Sequence, residues 1–215
     1  MKIKAVIFDV GGVLALGKSQ HLIYRHGGYR DIGVHEYISK KLNISADQWF
    51  DSIDTKYALS IEGKISEENV VKSIAKNNHV SPKKLQKIVI KAYRKNFKQN
   101  KQLFKQVFKL KKLGYKIAIL SDQWHLSKQA VMTHRYYKKF NPVIVSCDPD
   151  VKMRKPNPKI YKLTLKKLKL KPSETIFIDN QKWNTEPARK LGLNTILFKD
   201  NKQLFKNSLW KALFK

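Results

Sequence analysis

The chain has 215 residues, which is room for one compact domain with a smaller one inserted rather than for two full domains. With 42% hydrophobic and 28% charged residues it can bury a sizeable core, so disorder is not the default reading. Lys and Arg number 45 against 16 Asp and Glu, a formal charge of +29, so acidic partners belong among the hypotheses, while the single cysteine, Cys147, excludes an intramolecular disulfide framework.

The first ten residues, MKIKAVIFDV, hold an apolar run too short for a signal peptide, and no later stretch approaches the roughly 18 apolar residues of a membrane span. Residues 5–8 instead read as a strand buried on both faces: short, apolar, β-branched and followed by Gly11 and Gly12. Helical patterns come next at 34–42, 46–59, 67–77 and 82–97, with Ser45, Ser66 and Ser81 as N-caps and Pro82 in the first turn. Leu103, Val107 and Leu110 mark a further helix, then 116–120 and 142–145 read as buried strands. Ile160, Leu163 and Leu168 lie on another helix, followed by a strand at 175–178. A helix from Glu186 to Leu191, closed by Gly192, leads to a last strand at 195–198.

This alternation predicts an α/β fold, a doubly wound, Rossmann-like parallel sheet. The hundred or so residues between the first two strands are far too many for a βα crossover. The expected organisation is therefore a core of residues 1–15 and 99–215, with an inserted α-helical cap of residues 16–98.

Ligands of open α/β sheets bind beyond the carboxyl ends of the strands. The residues there are Asp9, Ser121-Asp122, Cys147-Asp148 and Asp179-Asn180. Taken singly each also fits a helix cap or a turn; together they build one pocket. Asp9 can act as a carboxylate nucleophile, forming an acyl phosphate, and the amides of Gly11 and Gly12 can approach an anion closely. The Ser121 hydroxyl and the amide of Asp122 can hydrogen-bond a transferring phosphoryl group. Lys155, between Arg154 and Pro156, is the one Lys with a placement argument, since the neighbouring Pro156 and Pro158 restrict its backbone and its ammonium would pair with Asp9 and a substrate anion. Asp179 and Asn180 offer hard oxygen ligands for Mg²⁺.

The order of these segments resembles the haloacid dehalogenase-like hydrolase superfamily, in the branch with a helical cap inserted after the first motif that includes phosphatases like the N-terminal domain of epoxide hydrolases. The resemblance rests on Phe8-Asp9-Val10-Gly11-Gly12-Val13-Leu14, Ile119-Leu120-Ser121-Asp122, Arg154-Lys155-Pro156-Asn157-Pro158, and Phe177-Ile178-Asp179-Asn180 leading to Asn184-Thr185-Glu186-Pro187. The cap segment Gly63-Lys64-Ile65-Ser66-Glu67-Glu68 adds to it, so the similarity spans almost the whole chain. It implies a hydrolase with Asp9 as nucleophile, Ser121 and Lys155 as its catalytic partners, and Mg²⁺ held by Asp9, the Gly11 carbonyl and Asn180 or Asp179. The expected substrate is a small phosphomonoester.

Two departures bear on the reaction. Phosphatases of the superfamily carry a second Asp two residues after the nucleophile as general acid; that position is Gly11, which has no proton to give. The paired acids of the last motif are Asp179-Asn180, whose amide brings less charge to a metal. His21, His26 and His125 are alternative proton donors, each also fitting a surface histidine. A 2-haloacid dehalogenase is the alternative enzyme, because halide leaves without a proton and Trp183-Asn184 is similar to the dehalogenase pattern; Asp179 stands where those enzymes carry a small hydroxyl residue. A third reading is a catalytically weak protein binding nucleic acid or another polyanion.

Arg occurs only at positions 25, 30, 94, 135, 154 and 189, and Lys is dispersed along the chain, a pattern read as a generally basic surface rather than a dedicated nucleic-acid site. The single Cys and the missing span favour a cytoplasmic protein with no membrane contact. Substrate choice falls to cap residues, with Tyr24, Arg25, Trp49, Tyr57 and Trp124 the aromatic and cationic candidates, each also fitting a core position.

Overall fold

The computed structural model describes residues 2–17, 22–25 and 28–215, with side chains outside 22–32. In chain order the elements are β1 (Ala5–Phe8), β2 (Ala15–Gly17), β3 (Leu22–Arg25), β4 (Gly28–Asp31), α1 (Ile32–Leu42), α2 (Ala46–Ile61), α3 (Glu67–Asn77) and α4 (Pro82–Asn96). There follow β5 (Phe97–Gln99), α5 (Lys101–Lys112), β6 (Lys116–Ser121), α6 (His125–Val131), the 3₁₀ turn η1 (Arg135–Lys139) and β7 (Val143–Val145). The chain ends with α7 (Pro158–Leu168), the 3₁₀ turn η2 (Pro172–Glu174), β8 (Thr175–Asp179), α8 (Lys182–Lys190), β9 (Asn194–Leu197), α9 (Asn201–Lys206) and α10 (Ser208–Ala212).

Two compact units result. One comprises Met1–Leu16, Gln99–Asp122 and Arg135–Lys215; the other comprises Gly17–Lys98 and Gln123–His134. The first holds a five-stranded sheet of order β7-β6-β1-β8-β9, parallel throughout. Strand order runs outward from β1 in one direction through β6 and β7 and in the other through β8 and β9, so the winding reverses at β1. This is the doubly wound topology expected from the alternating pattern, and the reversal opens a crevice beyond the carboxyl end of β1. Every residue of β1 and of β8 is buried, as strands covered by helices on both faces require. Ile160, Tyr161 and Leu165 of α7 pack with Ile7, Leu120 and Phe177 of the sheet. Each such fully buried aliphatic or aromatic side chain contributes roughly 1.5–3 kcal/mol.

The second unit is mainly helical. Ser45, Ser66 and Ser81 cap α2, α3 and α4 by accepting from the amides of Gln48, Asn69 and Lys84, and Gln48 completes a capping box by accepting from the Ser45 amide at 2.9 Å. Trp49 is fully buried and donates to His35 Nδ1 at 2.8 Å. The segment Gln123–His134 follows β6 of the sheet yet clusters with this unit, because α6 packs on α4 and Trp124 donates through Nε1 to the Tyr93 hydroxyl at 2.9 Å. Trp49 and Trp124 are thus core residues of the unit, and Tyr57 is half-buried with its ring 5.3 Å from that of Trp124. Backbone pairing of β3 with β4 adds an antiparallel ribbon. Among the described residues no helix is long and apolar enough to cross a membrane.

Candidate active site

Parallel register brings the carboxyl ends of β1, β6 and β8 level: Phe8 lies opposite Ile119 on one side and Ile178 on the other. Asp9, Ser121 and Asp179 therefore emerge side by side at the point where the winding reverses. The Asp9 amide donates to the Ile178 carbonyl at 2.9 Å, which carries the ladder one residue beyond β1 and fixes the start of the side chain.

Lys155 joins them from the loop that precedes α7. Its side chain is 1% exposed, and Nζ lies 2.6 Å from Asp179 Oδ2, 3.1 Å from Asp9 Oδ1 and 3.3 Å from the Leu120 carbonyl. The Phe177 ring covers it from 5.6 Å. Asp122 holds the loop itself, accepting from the Lys155 amide at 3.1 Å through one oxygen while the other faces Arg154 at 3.8 Å. Its side chain thus bears on the backbone of Lys155.

Burial sets the electrostatics. It pushes the Asp9 carboxyl up to about 7 against the opposing pull of Lys155, with the neighbouring Asp179 and Asp122 adding to the rise. Burial alone would lower the Lys155 ammonium, but the charges of Asp179, Asp9 and Asp122 outweigh it and hold Lys155 above its ordinary value. Asp122 is likewise raised by burial. One ammonium lies between Asp9 and Asp179, so ionising Asp9 would leave the buried cluster net negative, and bare excess charge of that kind is costly away from water.

Two asparagines give the cluster its shape. Asn184 donates through Nδ2 to Oδ1 and Oδ2 of Asp179 at 3.2 and 3.1 Å, and its backbone carbonyl accepts from the Tyr161 hydroxyl at 2.9 Å. With the Gln181 amide on Oδ1 at 2.7 Å and Lys155 on Oδ2, both oxygens of Asp179 are engaged. Asn100, buried before α5, binds the loop after Asp9: its amide donates to the Leu14 carbonyl at 2.8 Å and its Nδ2 to the Val13 carbonyl at 3.0 Å. Neither residue is singled out for a role by the sequence pattern. Asn184 lies inside the last motif and in the Trp183-Asn184 pair, and neither signal gives it the role of orienting Asp179.

Asn180 is different. Its Oδ1 is buried and, like Asn184 Oδ1, has no hydrogen-bond partner among the described residues, but the Asn180 side chain packs on the glycine loop that follows Asp9. The side chain rests against Gly12, where a Cβ would come 2.4 Å from Asn180 Nδ2 and where φ is +80°, so the position admits only glycine comfortably. At Gly11 a Cβ would meet nothing within 4 Å, which leaves space for a side chain. An orphaned amide oxygen beside a carboxyl that burial holds above its ordinary value suits a hard cation, which would supply the missing partner and favour the ionised carboxylate. Among the described residues no group of three or more His, Cys, Asp or Glu is placed to hold a metal, so a cation here would depend on carbonyl and amide oxygens as well as carboxylate.

Of the residues expected from the sequence, Ser121 and Asp179 are the last residues of β6 and β8, Asp9, Gly11, Gly12, Asp122 and Asn180 follow the carboxyl ends of β1, β6 and β8, and Lys155 reaches Asp9 and Asp179 through its ion pairs. Ser121 is fully buried and its carbonyl accepts from the Ser146 amide. Of the histidines, His125 belongs to the helical unit, with Nδ1 2.7 Å from Ser60 Oγ. His21 and His26 lie outside the described residues, as do the side chains of Tyr24 and Arg25.

A family model described as haloacid dehalogenase-like hydrolase matches residues 34–198. Bifunctional epoxide hydrolase 2 of Sus scrofa is 28% identical over 225 aligned positions, covering 93% of this chain and 37% of that protein. The (S)-2-haloacid dehalogenase 4A of Burkholderia cepacia is 36% identical over 90 positions, covering 41% of this chain and 38% of that protein. The alignments take in only about a fifth to two fifths of the length of the curated relatives. Among solved structures, a HAD family enzyme from Bacteroides thetaiotaomicron superposes with a TM-score of 0.75 at 22% identity, over 96% of this chain and all of that one. The same enzyme in complex with magnesium and inorganic phosphate gives 0.73 at 23% identity, over 95% and 100% of the two chains. At such identities the likeness is one of fold.

Proposed function

The chain belongs to the haloacid dehalogenase-like hydrolase family, and we propose that within it the protein is a Mg²⁺-dependent phosphatase acting on a small phosphomonoester. The observation that carries this reading is the buried Oδ1 of Asn180, unpartnered among the described residues, next to a cluster with one more carboxyl group than ammonium. The magnesium and phosphate bound by the Bacteroides enzyme support the same reading.

Asp9, the Gly11 carbonyl and Asn180 Oδ1 are the groups that would hold the ion. Asp179 is less suited, since both its oxygens already accept hydrogen bonds. When bound, Mg²⁺ neutralises phosphoryl oxygens. The chain's own residues do the rest. Asp9 attacks phosphorus, the P–O bond to the leaving group breaks, and an aspartyl phosphate results while the departing alkoxide takes a proton from water. Lys155 holds one Asp9 oxygen in place, and Ser121 with the amides of Gly11 and Asp122 orients the phosphoryl group; the Gly12 amide, expected from the sequence to face an anion, instead donates to the Ala15 carbonyl at 2.8 Å. Water then attacks the phosphorus of the intermediate, releasing inorganic phosphate and restoring the Asp9 carboxylate.

The similarity to a haloacid dehalogenase supports a second reading, in which Asp9 displaces halide from carbon. Assaying p-nitrophenyl phosphate and 2-chloropropionate side by side, with Mg²⁺ and with chelator, separates the two. Phosphate release that stops on chelation is expected; chloride release unaffected by chelation, with no phosphate release, overturns the phosphatase assignment.

A further inference from the structure

Between Glu68 and Asp148 the chain carries one acidic residue, Asp122, and that one faces Arg154 and Lys155. Everything else on α5 and η1 is neutral or basic. Lysines dispersed in sequence are gathered by the fold of the sheet-bearing unit, where Lys101 and Lys105 of α5 face Arg135 and Lys139 of η1 across a groove of about 480 Å³. No Asp or Glu lines it.

The floor of the groove is aromatic. Phe108 and Tyr136 are half-buried, their ring centroids 5.5 Å apart at 73°, and Phe104 closes the base 4.7 Å from Tyr136. Lys139 Nζ stands 4.5 Å over the Phe108 ring. A second groove of about 360 Å³ shares Lys139 and continues past Lys111 and Lys116, and Lys111 Nζ donates to the Lys139 carbonyl at 2.7 Å where the two meet. The result is a basic track with rings set into its first half.

Lys101 and Lys105, and then Lys109, follow one another at i,i+4 on α5, a spacing at which like charges repel and destabilise the helix. No carboxylate on α5 relieves the repulsion. A bound polyanion would.

We infer that this groove binds single-stranded nucleic acid, the cations following the phosphates and Phe108 and Tyr136 stacking on bases. Single-stranded sites combine these two features, a basic path and aromatic platforms. A duplex keeps its bases stacked on each other and would leave the rings unused, and a bilayer presents charge on a plane rather than along a groove. The track lies apart from the Asp9 cluster in residue content, so binding here stands independently of the phosphatase reading.

Fluorescence anisotropy with the full chain tests it, using a labelled mixed-sequence single strand, the same sequence as duplex, and phosphatidylcholine vesicles containing phosphatidylserine. K101E/K105E removes groove charge. K83E/K87E removes the same charge from exposed positions on α4 of the helical unit and controls for net charge. The groove pair is expected to weaken single-strand binding at least about tenfold and to flatten the slope of log affinity against log salt by roughly 0.7 for each phosphate left without its cation, the control pair to change affinity less than about threefold. Phe108→Leu should weaken single-strand binding with the salt slope unchanged, because it removes a stacking face and no charge. Thermal unfolding checks each fold, and K101Q/K105Q replaces the charge reversal if that variant is unfolded. Equal losses in the two charge-reversal pairs, duplex binding as tight as single strand, vesicle binding alone, or no binding at low salt would each overturn the inference.

Discussion

Asn184 donates to both carboxylate oxygens of Asp179, at 3.2 and 3.1 Å, and thereby fixes the acceptor against which the Lys155 ammonium rests. The contact is buried on both sides and runs through one amide group. Asn184→Ala should cost about 1–3 kcal/mol of stability, the usual penalty for stripping a donor from a buried acceptor. Its rate should fall roughly 10–100-fold, as for residues that orient a metal site's neighbours. Denaturant unfolding and steady-state hydrolysis check the two effects, and an unchanged rate would show that Asp179 needs no such anchor.

Lys155→Met tests the cluster's charge balance. Without the ammonium, Asp9 and Asp179 face one another in a buried site, and breaking a buried ion pair in this way costs about 3–5 kcal/mol. Thermal melts should show the loss, and hydrolysis should vanish with it. A variant that melts like wild type would mean that water reaches the cluster freely.

The two glycines after Asp9 should respond in opposite ways. Gly12→Ala places a Cβ 2.4 Å from Asn180 Nδ2 at a φ of +80°, so a loss of about 1–3 kcal/mol and of activity is expected. Gly11→Asp enters open space and should leave the melting temperature nearly unchanged. It places beside Asp9 a carboxyl able to protonate a leaving group. Alkyl phosphates, whose alkoxide leaves poorly, should gain more than p-nitrophenyl phosphate, which needs no proton; equal effects on both would argue that leaving-group protonation is already provided.

Burial raises Asp9 from 3.8 to about 7, so in metal-free protein the folded state binds a proton that the unfolded state has released across that window. The contribution of Asp9 to stability is therefore fully present below the lower value and is lost as pH rises toward the upper one, on the order of a few kcal/mol in total. In chelator, the stability of wild type relative to Asp9→Asn should decline between about pH 4 and 7. A flat difference would place Asp9 in a solvated setting.

Much of the sheet was legible because its signals are local. Buried β-branched runs ending in Asp9, Ser121 and Asp179 need nothing beyond their own neighbours to be read, and the same holds for the serine caps at 45, 66 and 81. What escaped was long-range. Asn100 acts on a loop more than 80 residues earlier, α6 leaves the strand it follows to pack on α4, and the basic groove joins α5 to η1 across β6. In each case the partner is set by tertiary packing, which leaves no periodicity or spacing in the sequence.

Everything proposed for the reaction depends on Asp9 being the nucleophile, and the Mg²⁺-dependent rate of p-nitrophenyl phosphate hydrolysis by wild type and by Asp9→Asn, each checked for folding by circular dichroism, decides it. The substitution keeps the side chain's shape and removes its nucleophilic oxygen, so the rate should fall by roughly three orders of magnitude or more. Equal rates in the two folded proteins would remove Asp9 from that role and the proposed mechanism with it.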